Sequence, residues 1–257
     1  MSQPPGEFVD NPGGIRLYQY QPPRRRGGRK ALIWLLSIIV LLVALDFGAK
    51  AFAQSEAATQ IQKQGFPKKP HVSIAGFPFL TQVITRKFHQ ITITSSDIPA
   101  GPIKITSLDV VAQNVHLNSN FQSGTAGPLH GTVLISLGEI GNFLSAAGPL
   151  ASFLGGGSGG GLRVESVGSN ELKGSLKLAG GLASWSAVWK VTSAGPNEIN
   201  LHLVSSNGLP GGFKQSASDI KVPLSELPAG LRLTGTVDTS GKGITAHVFA
   251  RNLSFGG

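Results

Sequence analysis

The chain has 257 residues, 40% of them hydrophobic, a formal net charge of +9 and no cysteine. Without cysteine there is no disulfide framework, thiol nucleophile or thiolate metal site, so stability must come from packing. The first thirty residues carry six basic and two acidic side chains while the remaining excess is thinly spread, which is not the footprint of a nucleic-acid-binding surface.

Residues 1–30 contain Pro-Pro twice and Gly-Gly twice with few large apolar side chains, a composition that predicts a disordered, basic cytoplasmic tail. An apolar run follows from Ala31 to Leu45. As a helix it is about 22 Å long, and it reaches about 30 Å when extended to Ala51. Residues 31–51 therefore read as a membrane anchor, with Asp46 and Lys50 at the outer interface, where charges cost less than at mid-bilayer. The alternative is a signal sequence, since Ala51-Phe52-Ala53 has the small-x-small form of a cleavage site. Arg16, Arg24, Arg25, Arg26, Arg29 and Lys30 precede the run, and only Lys50 and Lys63 follow it closely. That bias predicts a single pass with the N-terminus in the cytoplasm and the rest of the chain in the periplasm or cell-wall space.

Residues 52–257 read as one extracytoplasmic, β-rich, lipid-binding-like domain. Ser55 is placed to cap a short helix through Ile61, stopped at Gly65 and Pro67, unless the membrane helix simply continues outward. From Pro70 the dominant period is two. Leu172, Gly174, Leu176 and Leu178 alternate with polar residues, as do Trp185, Ala187, Trp189 and Val191, then Ile199, Leu201 and Leu203, then Ile220, Val222 and Leu224, and finally Leu231, Leu233, Gly235 and Val237. Strands with one oily and one wet face belong to antiparallel sheets. Ile103 and Ile105 share one parity while Leu108 and Val110 share the other, predicting a β-bulge near Ser107 that bends the sheet.

Turn signals stand at Pro99-Ala100-Gly101-Pro102, Asn207-Gly208-Leu209-Pro210 and Ser240-Gly241-Lys242-Gly243. Helical spacing returns at Leu137, Ile140, Phe143 and Leu144, closed by Gly148-Pro149. Residues 155–161 are a flexible Gly-rich loop whose formal G-x-G-x-x-G follows a helix and precedes a strand, the reverse of a dinucleotide-binding unit. The fold class expected is α+β: a mostly antiparallel, curved β-sheet wrapping one or two helices, with an N-terminal transmembrane helix.

Chemistry-bearing patterns are sparse. The six histidines show no close metal-ligand spacing, although His71 with His89 and His202 with His247 sit on strands that neighbour or could neighbour one another. No serine occupies a nucleophile elbow. The carboxylates mostly fall at strand ends or on polar faces, and a glycosidase pair needs a separation across a cleft that spacing does not reveal. The most distinctive stretch is Gly76-Phe77-Pro78-Phe79-Leu80-Thr81-Gln82-Val83. Its aromatics either fill the core or line a lipid-facing mouth, where exposed apolar side chains have a use.

Three stretches resemble the actinobacterial LmeA-like phospholipid-binding family. They are Glu56-Ala57-Ala58, the run from Val72 through Gly76-Phe77-Pro78-Phe79-Leu80 to Gln82, and Phe88-His89-Gln90-Ile91-Thr92-Ile93. The ending is similar in style, with Leu227-Pro228-Ala229-Gly230-Leu231, Gly243-Ile244-Thr245-Ala246 and Ala250-Arg251-Asn252-Leu253. The resemblance implies a periplasmic or cell-wall-facing domain, a curved sheet around a helix, an apolar cavity and affinity for membrane phospholipid; the best-known members of the family are tied to mannan and lipoglycan maturation, a role that does not transfer automatically among its many paralogues. The Gly tract departs from a typical member.

A two-chain phospholipid has on the order of thirty methylene groups, worth about 0.8 kcal/mol each when shielded from water, so binding one requires an enclosed apolar volume. The expectation is a membrane-tethered, non-enzymatic envelope protein with no cofactor and no metal. Its partners are phospholipid and the inner membrane through the N-terminal helix, and no protein partner is specified. The acyl chains are assigned to Phe77, Phe79, Leu80, Val83, Ile91, Ile93, Leu201 and Leu203, and the head group to Arg86 and Lys87. The same alternation would equally build a filled core, which leaves an envelope scaffold or adaptor as the alternative. A glycan-processing enzyme stands behind both.

Overall fold

The computed structural model describes residues 28–63, 65–146, 162–177, 184–195, 197–208, 217–224 and 236–255. Most of the expected basic tail, the Gly-rich loop at 155–161, the Gly148-Pro149 stop and the alternating residues Leu178 and Leu231 to Gly235 lie outside these residues. The chain divides into two compact units, Met1–Leu42 and Val43–Gly257.

Helix α1 runs from Gly28 to Lys63. Every large apolar side chain from Leu32 to Leu42 is exposed, and α1 is the one helix among the described residues long and apolar enough to cross a membrane. The short helix expected after Ser55 is therefore no separate element: α1 passes through Ser55 without a break. In the larger unit α1 packs Ala49 and Ala53 on a minor apolar cluster and Ile61 on the main core.

Among the described residues the strands form two antiparallel sheets, of eight and five strands. The larger sheet follows the order β1 (His71–Ala75), β2 (Lys87–Ala100), β3 (Ile103–Leu117), β5 (Leu129–Ser136), β12 (Gly243–Ala250) and β11 (Val237–Ser240). Two short strands, β4 (Gly124–Ala126) and β13 (Leu253–Phe255), extend it beside β3. The smaller sheet follows β10 (Asp219–Pro223), β9 (Glu198–Asn207), β8 (Ser184–Gly195), β7 (Glu171–Lys177) and β6 (Arg163–Gly168). The molecule is α+β with antiparallel pairing, as the alternation requires.

Two of the three turn signals act where their chemistry placed them, and Leu209-Pro210 of the third lie outside the described residues. Gly101-Pro102 closes the β2–β3 hairpin, with Ala100 opposite Ile103, and Gly241-Lys242 closes β11–β12, with Ser240 opposite Gly243. The parity change at Ser107 is present, since burial passes from Ile105 to Leu108. The β-bulge expected there is not. Ser96 pairs with Ser107 and Ile98 with Ile105, so neither strand gains a residue. Instead β2 changes face at the same level, from Ser95 to Ile98, with Asp97 at φ 56°. A reversal shared by two paired strands preserves the register that an insertion would shift.

The oily faces of both sheets meet in one core. Ile98, Ile105, Val133, Ile135 and Ile244 from the larger sheet join Leu172, Trp189, Leu201 and Ile220 from the smaller. Helix α3 (Leu137–Ala146) contributes Ile140, Phe143 and Leu144, the stripe its spacing predicted. The Trp189 ring crosses β7 at Gly174, where an added Cβ would stand 2.7 Å from ring atom Cζ3, and its Nε1 donates to the Ala217 carbonyl at 3.0 Å. Glycine is required at 174 because the indole occupies its side-chain volume.

Candidate functional site

Strand β1 ends at Ala75, and the chain turns through Gly76, Phe77 and Pro78 into a seven-residue helix, α2 (Phe79–Thr85). Gly76 adopts φ +103°, and a Cβ there would stand 2.6 Å from Gln82 Nε2. The backbone conformation at this turn strains any residue but glycine, and a side chain there would also displace the Gln82 amide. Gln82 is buried, and its Oε1 accepts a hydrogen bond from the His89 backbone N–H at 3.2 Å, tying α2 to β2.

The first N–H groups of a helix lack intrahelical acceptors, and Pro78 at the N-cap position supplies no side-chain acceptor. Asp46 of α1 does so. Its Oδ2 accepts from the Phe79 N–H at 2.8 Å and its Oδ1 from the Leu80 N–H at 2.7 Å. Asp46 is 4% exposed. Two charge-assisted bonds and the positive end of the helix replace the water it has lost.

Helix α2 has two unlike faces. Phe79 points inward, 2% exposed, with its ring centroid 6.3 Å from that of Phe88 and with Ile74 and Val115 completing the minor cluster. Val83 and Ile91 pack half-buried against the same cluster. Outward, Ile84 is 79% and Leu80 38% exposed, one helical turn apart. Phe77, 63% exposed, stacks on Phe47 of α1, itself 59% exposed, with centroids 6.2 Å apart. The helix ends at Arg86 in the left-handed region, φ 56°, and the exposed Arg86 and Lys87 have no carboxylate partner among the described residues.

The residues assigned to lipid from the sequence therefore separate. Phe79, Leu80 and Val83 lie on α2, and Phe77, Ile91, Arg86 and Lys87 lie beside it. Ile93 lies half-buried on β2 between Val72 and Val110, belonging to neither apolar cluster. Leu201 is fully buried in the core between the sheets, and Leu203 packs on that core, both on β9. The structure adds Asp46, Phe47 and Ile84. Ile84 carried a signal, four residues after Leu80, whereas nothing local marks Asp46 as the cap of a helix 33 residues on.

A second feature lies at the start of β1. Gln54, Ser55 and Ala58 of α1 face Lys69, Pro70 and His71 across an open cleft of about 340 Å³, bridged by a 2.9 Å hydrogen bond from Lys69 Nζ to Ser55 Oγ. Among the described residues no three His, Cys, Asp or Glu side chains gather as a metal site would require. His71 pairs with Thr94, five residues along β2 from His89. His202 and His247 fall in different sheets, each beside its own carboxylate: Asp219 at 2.7 Å and Asp238 at 3.1 Å. The bond with His202 holds the Asp219 carboxyl below its ordinary range.

The model of the LmeA-like phospholipid-binding family matches residues 44–249, and the chain belongs to that family. The matched segment contains all of α2, its Asp46 cap and the strands of both sheets as far as Phe249 of β12. No curated protein and no solved structure matches the chain.

Proposed function

We propose that this protein is a non-enzymatic, membrane-tethered lipid-binding protein of the cell envelope. In this reading α1 spans the membrane with its basic flank in the cytoplasm, and the β-rich unit holds phospholipid acyl chains in an apolar volume, in the service of lipid or lipoglycan handling. Membership of a phospholipid-binding family over residues 44–249 carries the reading. The exposed apolar side chains of α1 and the apolar outer face of α2 support it, because such surfaces are costly in water and useful beside lipid.

A specific observation favours a second reading, an envelope scaffold with a filled interior. Trp189, Leu201, Ile98 and Ile135 pack in the main core at 0–1% exposure. Native mass spectrometry of the full chain, extracted gently and exchanged into fresh detergent, separates the two. Phospholipid retained in a fixed ratio supports lipid binding. A lipid-free protein that also takes up no labelled phospholipid overturns it in favour of the scaffold.

A further inference from the structure

We infer that the outer face of α2, together with Phe47, inserts into the outer leaflet of the membrane that α1 crosses, as a second membrane contact distinct from both the span and any lipid held inside the domain. The inference rests on the tethered reading above. The lipid surface, rather than a protein groove, is the occupant the observations favour.

Position comes first. The apolar run ends at Leu45, and the next two residues are the ones that hold α2: Asp46 caps it through the N–H groups of Phe79 and Leu80, and Phe47 stacks on Phe77. Asp46 and Phe47 follow that run inside the outer part of the 31–51 segment, which reaches about 30 Å, so a helix fastened to them is brought to the outer leaflet near the boundary of acyl chains and head groups, because each helical residue advances only about 1.5 Å.

Composition comes second. Leu45, Phe47, Phe77, Leu80 and Ile84 are 55%, 59%, 63%, 38% and 79% exposed, and Leu80 and Ile84 share one side of α2. The opposite side carries Phe79 and Gln82, both buried, so the helix is already seated on the domain and the outward residues are surplus to its packing. Aromatic and aliphatic side chains in that place suit the boundary between acyl chains and head groups.

Charge comes third. Arg86 and Lys87 follow α2 directly and are exposed without carboxylate partners among the described residues. Cations beside an apolar face meet lipid phosphates, and long basic side chains reach them while their stems remain among apolar groups. A protein partner for such a face would need carboxylates opposite Arg86 and Lys87. A phosphate-bearing bilayer supplies anions and hydrocarbon together.

The native chain has no cysteine, so single cysteines can be placed at will. Three full-length variants, Ile38→Cys in the span, Ile84→Cys on α2 and Val167→Cys on β6, are spin-labelled and reconstituted in phosphatidylcholine–phosphatidylglycerol vesicles. Collision rates with oxygen, which concentrates in hydrocarbon, are compared with those of a water-soluble nickel chelate. The expected result is an oxygen-to-nickel ratio at 84 several-fold above that at 167 and below that at 38. Adding Arg86→Gln and Lys87→Gln to the Ile84→Cys chain lowers the ratio at 84 without moving that at 38. A ratio at 84 equal to that at 167, with 38 in hydrocarbon, overturns the insertion and leaves the tether standing. A water-exposed label at 38 removes the tether and the insertion together.

Discussion

Asp46 and Phe79, 33 residues apart, are joined by a 2.8 Å hydrogen bond from the Phe79 backbone N–H to the Asp46 carboxylate, and the neighbouring Leu80 N–H binds the other oxygen at 2.7 Å. Helix α2 has seven residues, too few to persist in water without tertiary support. An acid at the edge of an apolar run looks like a liability, since a buried carboxylate without donors costs several kcal/mol. Here it meets two otherwise unsatisfied donors and couples the position of α2 to that of α1.

Asp46→Ala removes both acceptors and leaves the N–H of the buried Phe79 without a partner. Loss of a cap costs about 0.5–2 kcal/mol. We expect amide hydrogen exchange at Phe79 and Leu80 to accelerate in the full chain, with Asp46→Asn intermediate because one carbonyl acceptor remains. Unchanged protection in Asp46→Ala would contradict the capping role.

Gly174→Ala forces a methyl group toward Trp189 Cζ3, 2.7 Å from the position its Cβ would take. Overpacking of this kind costs about 1–3 kcal/mol. Thermal unfolding should show a lower midpoint for Gly174→Ala, and the loss should shrink in a Trp189→Phe background, where the six-membered ring of the indole is gone. Additive losses would show that Gly174 and Trp189 do not interact.

Leu201 and Leu80 were assigned one role from the sequence and occupy different environments. Leu201→Ala opens a cavity in the core and should cost about 2–5 kcal/mol in chemical unfolding. Leu80→Ala, on an exposed face, should change stability by no more than about 0.5 kcal/mol while weakening association with lipid vesicles. A stable Leu201→Ala protein that fails to retain phospholipid would place Leu201 in a binding site instead.

The Asp97 carboxyl is held below its ordinary value of 3.8, chiefly by its hydrogen bond with Lys68 and then by the charge of that ammonium. A carboxylate whose folded pKa is depressed adds stability that is present above the ordinary value and is lost as pH falls through the folded one. Both partners are exposed, so salt weakens the effect. Carbon NMR titration should give a depressed midpoint for Asp97, and Lys68→Met should return it toward 3.8. A normal midpoint in the unsubstituted chain would exclude the pair in solution.

The sequence by itself determined the features that depend on neighbouring residues. The apolar run became a long helix, and the stripe of Ile140, Phe143 and Leu144 became α3. The alternation around Trp189 and Leu201 became strands, and Gly101-Pro102 and Gly241-Lys242 became hairpin turns. Spacing reports these because backbone period and turn conformation are local properties.

Only the tertiary structure decided what each face meets. Alternation made one side of β9 apolar but left open whether Leu201 would face another sheet or a ligand, and the strands divided into two sheets around a shared core. The Gly-Phe-Pro-Phe stretch carried both aromatics, and it took the turn at Gly76 and the Asp46 cap to send Phe79 inward and leave Phe77 against Phe47. Those outcomes are set by contacts between residues distant in the chain, where burial free energy and unsatisfied backbone donors, rather than local propensity, select the arrangement.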